Sequence, residues 1–232
     1  MKKLTKRLKT VQALVDKAKV YSLKDAIAIL KKAPKMKFDE TVEIAARLTV
    51  DPKQSQSASI RGTLTLPNGT GKKVRVAVFC KGDEERKARD AGADFVGSAD
   101  LIAKVQAGWC DFDVAVATPE MMKDMAKLGK ILGPRGLMPN PKSGTVTLDT
   151  AKTVKEVKAG KIEFKMDKQA GIHAPLGKLS FKEDALYANA MSLIDAIMGA
   201  NPGGMRGQHV KTLYISTTMG PGVKLDLSEF RK

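Results

Sequence analysis

The chain has 232 residues, 43% of them apolar, and a formal net charge of +16 from 41 Lys and Arg against 25 Asp and Glu. The apolar content suffices for one large or two modest cores and excludes a disordered chain, and the lack of any run of about 18 apolar residues excludes a membrane-spanning helix. So large an excess of cations points to a polyanionic partner, nucleic acid first.

Leu4, Leu8, Val11, Val15 and Ala18 recur at steps of four and three, which predicts an amphipathic helix over residues 4–19 with lysines on the opposite face. The N-terminal cations are followed by no apolar signal-peptide core, so a cytoplasmic protein with Cys80 and Cys110 reduced is expected. Ser22 and Asp25 have the spacing of a capping box, and Leu23, Ile27 and Leu30 predict a second helix that stops before Pro34.

Residues 41–50 alternate, Val42, Ile44, Ala46 and Leu48 against Thr41, Glu43, Ala45 and Arg47, as in a half-buried strand. Residues 60–66 alternate likewise, and the polar stretch 51–57 is expected to join the two as an antiparallel pair. After residues 67–73 the pattern changes. Apolar runs at 74–79, 95–97 and 114–117 interleave with helix candidates at 84–91, 100–107, 119–128 and 149–159, which predicts a small open parallel sheet. Alternation returns at 161–166 and 178–181, then come a helix from Glu183 to Met198, a break at Asn201–Gly207 and a strand from Val210 to Thr217.

The expected fold class is therefore α/β with two domains: a discontinuous α+β domain with a mainly antiparallel sheet, residues 1–67 plus 160–232, and an inserted three-layer, Rossmann-like α/β domain with a parallel sheet, residues 68–159. Gly69, Gly71 and Gly160 mark the two joints as hinges. Lys and Arg outnumber Asp and Glu by 15 to 6 in residues 1–67, 16 to 12 in 68–159 and 10 to 7 in 160–232. The discontinuous domain thus holds +12 of the +16, and the principal nucleic-acid face is expected there.

Residues 132–147 combine three prolines and three glycines with Arg135, Lys142 and no carboxylate, which predicts an ordered basic loop. Composition leaves two uses open for it, a structural crossover and a binding site. His173 and His209 have no ligand partners at metal spacing, and His173, before Ala174-Pro175, is expected in a loop. Gly69-Thr70-Gly71-Lys72-Lys73 lacks the spacing of a phosphate loop, and the acids Asp83-Glu84-Glu85 and Asp111, Asp113 are expected to be solvated rather than catalytic. No metal and no cofactor are expected.

Four landmarks carry a resemblance. Gly129-Lys130-Ile131-Leu132 running into Gly133-Pro134-Arg135-Gly136-Leu137-Met138-Pro139-Asn140-Pro141 resembles the signature of the large ribosomal subunit protein one family, bacterial type. So do Lys37-Phe38-Asp39-Glu40-Thr41-Val42-Glu43, Gly108-Trp109-Cys110-Asp111-Phe112-Asp113 and Thr217-Thr218-Met219-Gly220-Pro221. The resemblance implies a non-enzyme that binds large-subunit rRNA at the mobile stalk, assists release of deacylated tRNA from the exit site, and represses translation by binding the mRNA leader of its own operon. It also implies a protein that is monomeric when free. The RNA-binding residues it implies are Lys37, Phe38, Thr41, Glu43, Thr218, Met219 and Gly220, while Gly133, Pro134, Arg135, Gly136, Pro139, Asn140 and Pro141 form the signature loop. By residue pattern alone, Thr218-Met219-Gly220 is a strand end and a turn. A nucleotide-dependent enzyme using the inserted α/β domain is the alternative from another class.

Overall fold

A computed structural model of the chain describes residues 6–16, 18–34, 36–49, 60–200 and 210–230. The expected 51–57 connection, the Asn201–Gly207 break, Leu4 and His209 lie outside these residues. By compactness the chain divides into two units, Met1–Gly71 with Ile162–Lys232, and Lys72–Lys161.

The first unit begins with α1 (Lys6–Leu14), α2 (Leu23–Lys32), β1 (Thr41–Leu48) and β2 (Arg61–Thr65). α1 is shorter than its periodicity predicts, but Val11 and Val15 are buried as expected. The Ser22 hydroxyl accepts the Asp25 N–H at 3.2 Å and so caps α2, whose Leu23, Ala26, Ile27 and Leu30 enter the core.

The second unit contains β3 (Val76–Phe79), α3 (Asp83–Asp90), β4 (Phe95–Gly97), α4 (Ala99–Gln106), β5 (Val114–Ala117), α5 (Met122–Met125), α6 (Gly129–Leu132) and α7 (Thr150–Ala159). Its parallel sheet has the order β4-β3-β5. Because side chains alternate along a strand, Ala77, Phe79, Ala115 and Ala117 face one cluster, with Leu101, Val105, Met121, Met125, Leu128 and Leu132. Val76, Val78 and Val116 face another, with Ala88, Val154 and Val157. Helices on both faces make the three layers.

The predicted helix over 119–128 is instead a chain of short α and 3-10 turns that reaches Leu132. Its last turn is tight: a Cβ at Gly133 would lie 2.5 Å from the Gly129 carbonyl oxygen. The Gly108–Asp113 landmark is absorbed by packing. Trp109 meets Phe95 edge-on at 4.7 Å between ring centroids and Phe112 at 5.6 Å. Asp113, expected to be solvated, instead binds the Lys72 ammonium at 2.9 Å and the Arg75 N–H at 3.1 Å, and these two donors, Lys72 first, hold its carboxyl below the usual aspartate range.

The chain returns to the first unit with β6 (Lys161–Lys165), β7 (Gly171–Lys178), α8 (Glu183–Gly199), β8 (Val210–Thr217) and β9 (Val223–Lys224). The main sheet is antiparallel, in the order β7-β1-β8-β9. Three expectations are overturned here. β1 does not pair with β2: both its edges are taken, by β7 and β8, and β2 pairs with β6. Of residues 178–181 only Lys178 is strand, as the end of β7, and the rest form the turn after it, while His173 lies in β7 rather than in a loop. Pro175 conceals β7 in the sequence. It is accommodated because β7 is an edge strand and the register slips between Val42 and Glu43, opposite it.

One face of the main sheet, with Val42, Ile44, Ala46, Leu176, Leu213 and Ile215, is buried against α2 and α8. The other carries Thr41, Glu43, Arg47, His173, Tyr214 and Ser216, all exposed or half-buried.

Asn189 of α8 is fully buried and fully bonded. Its amide donates to Gly69 O at 2.9 Å and Leu176 O at 2.7 Å, and its oxygen accepts the Asn68 N–H at 3.0 Å. That clamp fixes the chain where it leaves the first unit. Gly69 and Gly71 both have positive φ, and a Cβ at Gly71 would press into the Phe181 ring at 2.9 Å. Gly160 is the left-handed cap of α7.

Candidate nucleic-acid interface

The stretch before β1 and the turn after β8 lie side by side at one end of the main sheet. Strand register dictates this, since Val42 opposes Thr217. Beyond that pair the Thr218 N–H donates to Thr41 O at 3.0 Å, and the Thr41 N–H donates to the Thr218 hydroxyl at 3.1 Å. The structure thereby brings together all seven sequence-predicted site residues, from Lys37 to Glu43 and from Thr218 to Gly220.

What each presents differs. Phe38 is 50% exposed and Met219 48%, two large apolar side chains left in solvent, and Lys37 is exposed beside Phe38. The Thr41 hydroxyl accepts from the Lys178 ammonium at 3.0 Å, which leaves its own hydrogen for an outside acceptor. Glu43 is exposed on the open sheet face. The Thr218 oxygen is engaged by Thr41, so this side chain fastens the turn. Gly220 is required by the turn itself, because a Cβ there would collide with the Thr217 hydroxyl.

Sequence reasoning missed the residues that hold this arrangement. Glu40 is 2% exposed. Its Oε2 accepts the Thr217 hydroxyl at 2.7 Å and the Met219 N–H at 3.0 Å. Asp39 accepts from the Ser180 N–H at 3.1 Å and hydroxyl at 2.7 Å, tying the approach to β1 to the turn after β7. Glu40 stood inside a quoted landmark. Its place between the outward Asp39 and the edge residue Thr41 gives no sign in sequence that its carboxylate turns inward.

The signature loop lies in the second unit. Pro139 is buried, while Leu137 and Met138 are half-buried against the cluster around Leu132. The Asn140 carboxamide oxygen accepts the Lys142 N–H at 2.9 Å, and its backbone N–H donates to the Thr145 hydroxyl at 2.8 Å. The Ala117 N–H donates to Thr145 O at 2.9 Å, and Val146 pairs with Ala117 in parallel. The loop is therefore a rigid crossover that delivers its chain beside β5. Gly133, Pro134, Arg135, Gly136, Pro141 and Lys142 remain exposed on it, and Gly136 takes the positive φ its turn needs.

At the carboxyl ends of β3 and β5, where an open parallel sheet would hold a nucleotide, α3 begins with Asp83, Glu84 and Glu85. Burial first, and then Glu85 and Glu84, push the Cys80 thiol up to about 11. A phosphate placed there would meet the same repulsion. Among the described residues no cluster of His, Cys, Asp and Glu has the geometry of a metal site, and no helix is long and apolar enough to cross a membrane.

Residues 30–221 match the model of the Ribosomal protein L1p/L10e family. The chain is also similar to the large ribosomal subunit protein uL1 of Protochlamydia amoebophila (strain UWE25), with 51% identity over 225 residues, 97% of this chain and 95% of that one.

Proposed function

The chain belongs to the Ribosomal protein L1p/L10e family, and from that premise we propose that it is a structural component of the large ribosomal subunit whose first unit binds rRNA at the mobile stalk. The observation that carries the reading is the edge where Phe38 and Met219 stand exposed together, fixed by the Thr41–Thr218 pairing, in the unit holding most of the net charge.

The chemistry suits folded RNA. Lys37 supplies phosphate attraction, and the Phe38 ring and Met219 thioether offer apolar contact to a base or ribose. The Thr41 hydroxyl and Glu43 carboxylate suit 2′-hydroxyls or base amines, Glu43 only opposite a donor. None of these groups performs covalent chemistry. The protein acts by binding and competition.

Two finer roles belong to the same proposal: assisting release of deacylated tRNA from the exit site, and repressing its own operon by binding an mRNA leader that mimics the rRNA site. Bending at the joints would serve the first. Since Gly69 and Gly71 are anchored to the first unit, that bending falls to Gly160 and to residues after Gly71.

The test is footprinting and titration of the protein, which we expect to be monomeric, on a large-subunit rRNA fragment, with the leader and tRNA as competitors. Tight capture of the fragment and displacement by the leader are expected. Indifference to the fragment, with micromolar nucleotide binding at the second unit, would overturn the reading in favour of a nucleotide-dependent enzyme.

A further inference from the structure

Arg7 of α1 reaches the same edge from the far end of the chain. Its Nη2 donates to Met219 O at 3.0 Å and lies 3.8 Å from the Glu40 carboxylate. Glu40 in turn holds the Met219 N–H and the Thr217 hydroxyl. Both backbone polar groups of Met219 are thus gripped by one ion pair, whose carboxylate side chain is 3% exposed and whose guanidinium side chain is 26% exposed.

We infer that Arg7 and Glu40 are positioning residues for RNA, a latch by which the N-terminal helix holds the Met219 turn in its binding shape. This rests on the RNA reading of that edge. Three physical points support it.

A helix of nine residues is marginal alone and must be docked. Val11 and Val15 supply burial, yet Arg7 is placed so that its Nε is enclosed with no acceptor. An enclosed donor without a partner works against stability, so the placement calls for another reason. The geometry supplies one in the Met219 carbonyl.

Glu40 would also be a liability without Arg7. A carboxylate beneath an RNA-facing turn repels phosphate, and a charge so enclosed is costly unless paired. The guanidinium offsets that charge while Glu40 remains free to order the turn. Because Arg7 is spent on Glu40 and Met219, it is not itself a phosphate contact. This separates it from Lys37.

The experiment uses the full chain and the rRNA fragment, titrated over a range of salt, with Arg7→Ala, Arg7→Lys, Glu40→Gln and the double variant Arg7→Ala/Glu40→Gln. Arg7→Ala should weaken binding roughly tenfold, the scale of one charge-assisted hydrogen bond, with the salt slope unchanged. Arg7→Lys should recover part of the loss, and the double variant should bind no worse than the weaker single one. In the RNA-free protein the Met219 methyl NMR signal should shift in Arg7→Ala and in Glu40→Gln. A salt slope reduced by about 0.7 to 0.9 in Arg7→Ala, with losses that add to those of Glu40→Gln, would make Arg7 a phosphate contact and overturn the latch. An unmoved Met219 signal would overturn it as well. If the wild type ignores the fragment, the RNA reading fails instead, and the Met219 signal alone decides whether the latch exists.

Discussion

Thr41 and Thr218, 177 residues apart in the chain, clasp each other through a backbone bond in one direction and a hydroxyl-accepted bond in the other. Thr218→Val keeps the shape and removes the acceptor, so the Thr41 N–H must find water. We expect a loss of about 1 kcal/mol in unfolding free energy, no loss for Thr218→Ser, and faster amide exchange at Thr41 in the valine variant alone.

Phe38 and Lys37 should separate by salt. Phe38→Ala removes a half-exposed ring that packs in no core cluster. Its unfolding midpoint should therefore hold while RNA affinity falls by about 1 to 3 kcal/mol, the range for a stacking contact, with the salt slope intact. Lys37→Ala should reduce the slope of log affinity against log salt by about 0.7 to 0.9. Filter binding at several salt concentrations checks both.

Asn189 makes the joint at residues 68–69 expensive to disturb. Asn189→Ala strands the Asn68 N–H and the Gly69 and Leu176 carbonyls, and should cost about 1 to 3 kcal/mol. Asn189→Asp should cost more, because it sets a carboxylate against two carbonyl oxygens. Circular dichroism in urea should rank the variants in that order.

The second unit should weaken in acid through Asp113. Its carboxyl is held below the ordinary range by Lys72 first and then by the Arg75 N–H. A depressed folded value gives stability that is complete above the unfolded value, about 3.9, and is lost as pH falls through the folded one. Asp113→Asn should therefore be less stable than wild type at pH 7, with the gap closing below about pH 4. Trp109, the single tryptophan and a residue of this unit, reports unfolding by fluorescence.

The two thiols should react unequally. Cys80 is fully buried, with its thiol pushed up to about 11, whereas Cys110 is half-buried. At pH 8 a disulfide reagent should modify one thiol per native chain and two after denaturation. Rapid labelling of Cys80 in the native protein would contradict its placement at the end of β3.

The two architectures were legible in the sequence because each rests on a periodicity. Val42 to Leu48 alternates as a strand with one wet face must, and the Val76 to Phe79 and Val114 to Ala117 runs are uniformly apolar as strands covered on both sides must be. Strand partnership was not legible. Alternation says that β1 has a dry face but nothing about which strand lies beside it, and the true partners come more than 120 residues later. Pro175 hid β7 because proline is read against central strands, and β7 lies at an edge. At the candidate site the outward residues were visible through the Lys37–Glu43 and Thr217–Pro221 landmarks. Glu40 and Arg7 were not, since one is an acid among acids and threonines and the other a cation in a run of cations.

The pairing of β1 with β7 and β8 also sets an order of birth. The second unit can close its sheet once residues 76–146 have been made, from contacts near in sequence. β1, synthesised earlier, has no neighbour until the chain has grown to Lys178, and lacks β8 until it has grown to Thr217. Nascent protein should therefore emerge with a finished insert and an unfinished binding edge. Peptides stalled before residue 210 should leave RNA uncaptured, and that capacity should arrive abruptly with the last strands.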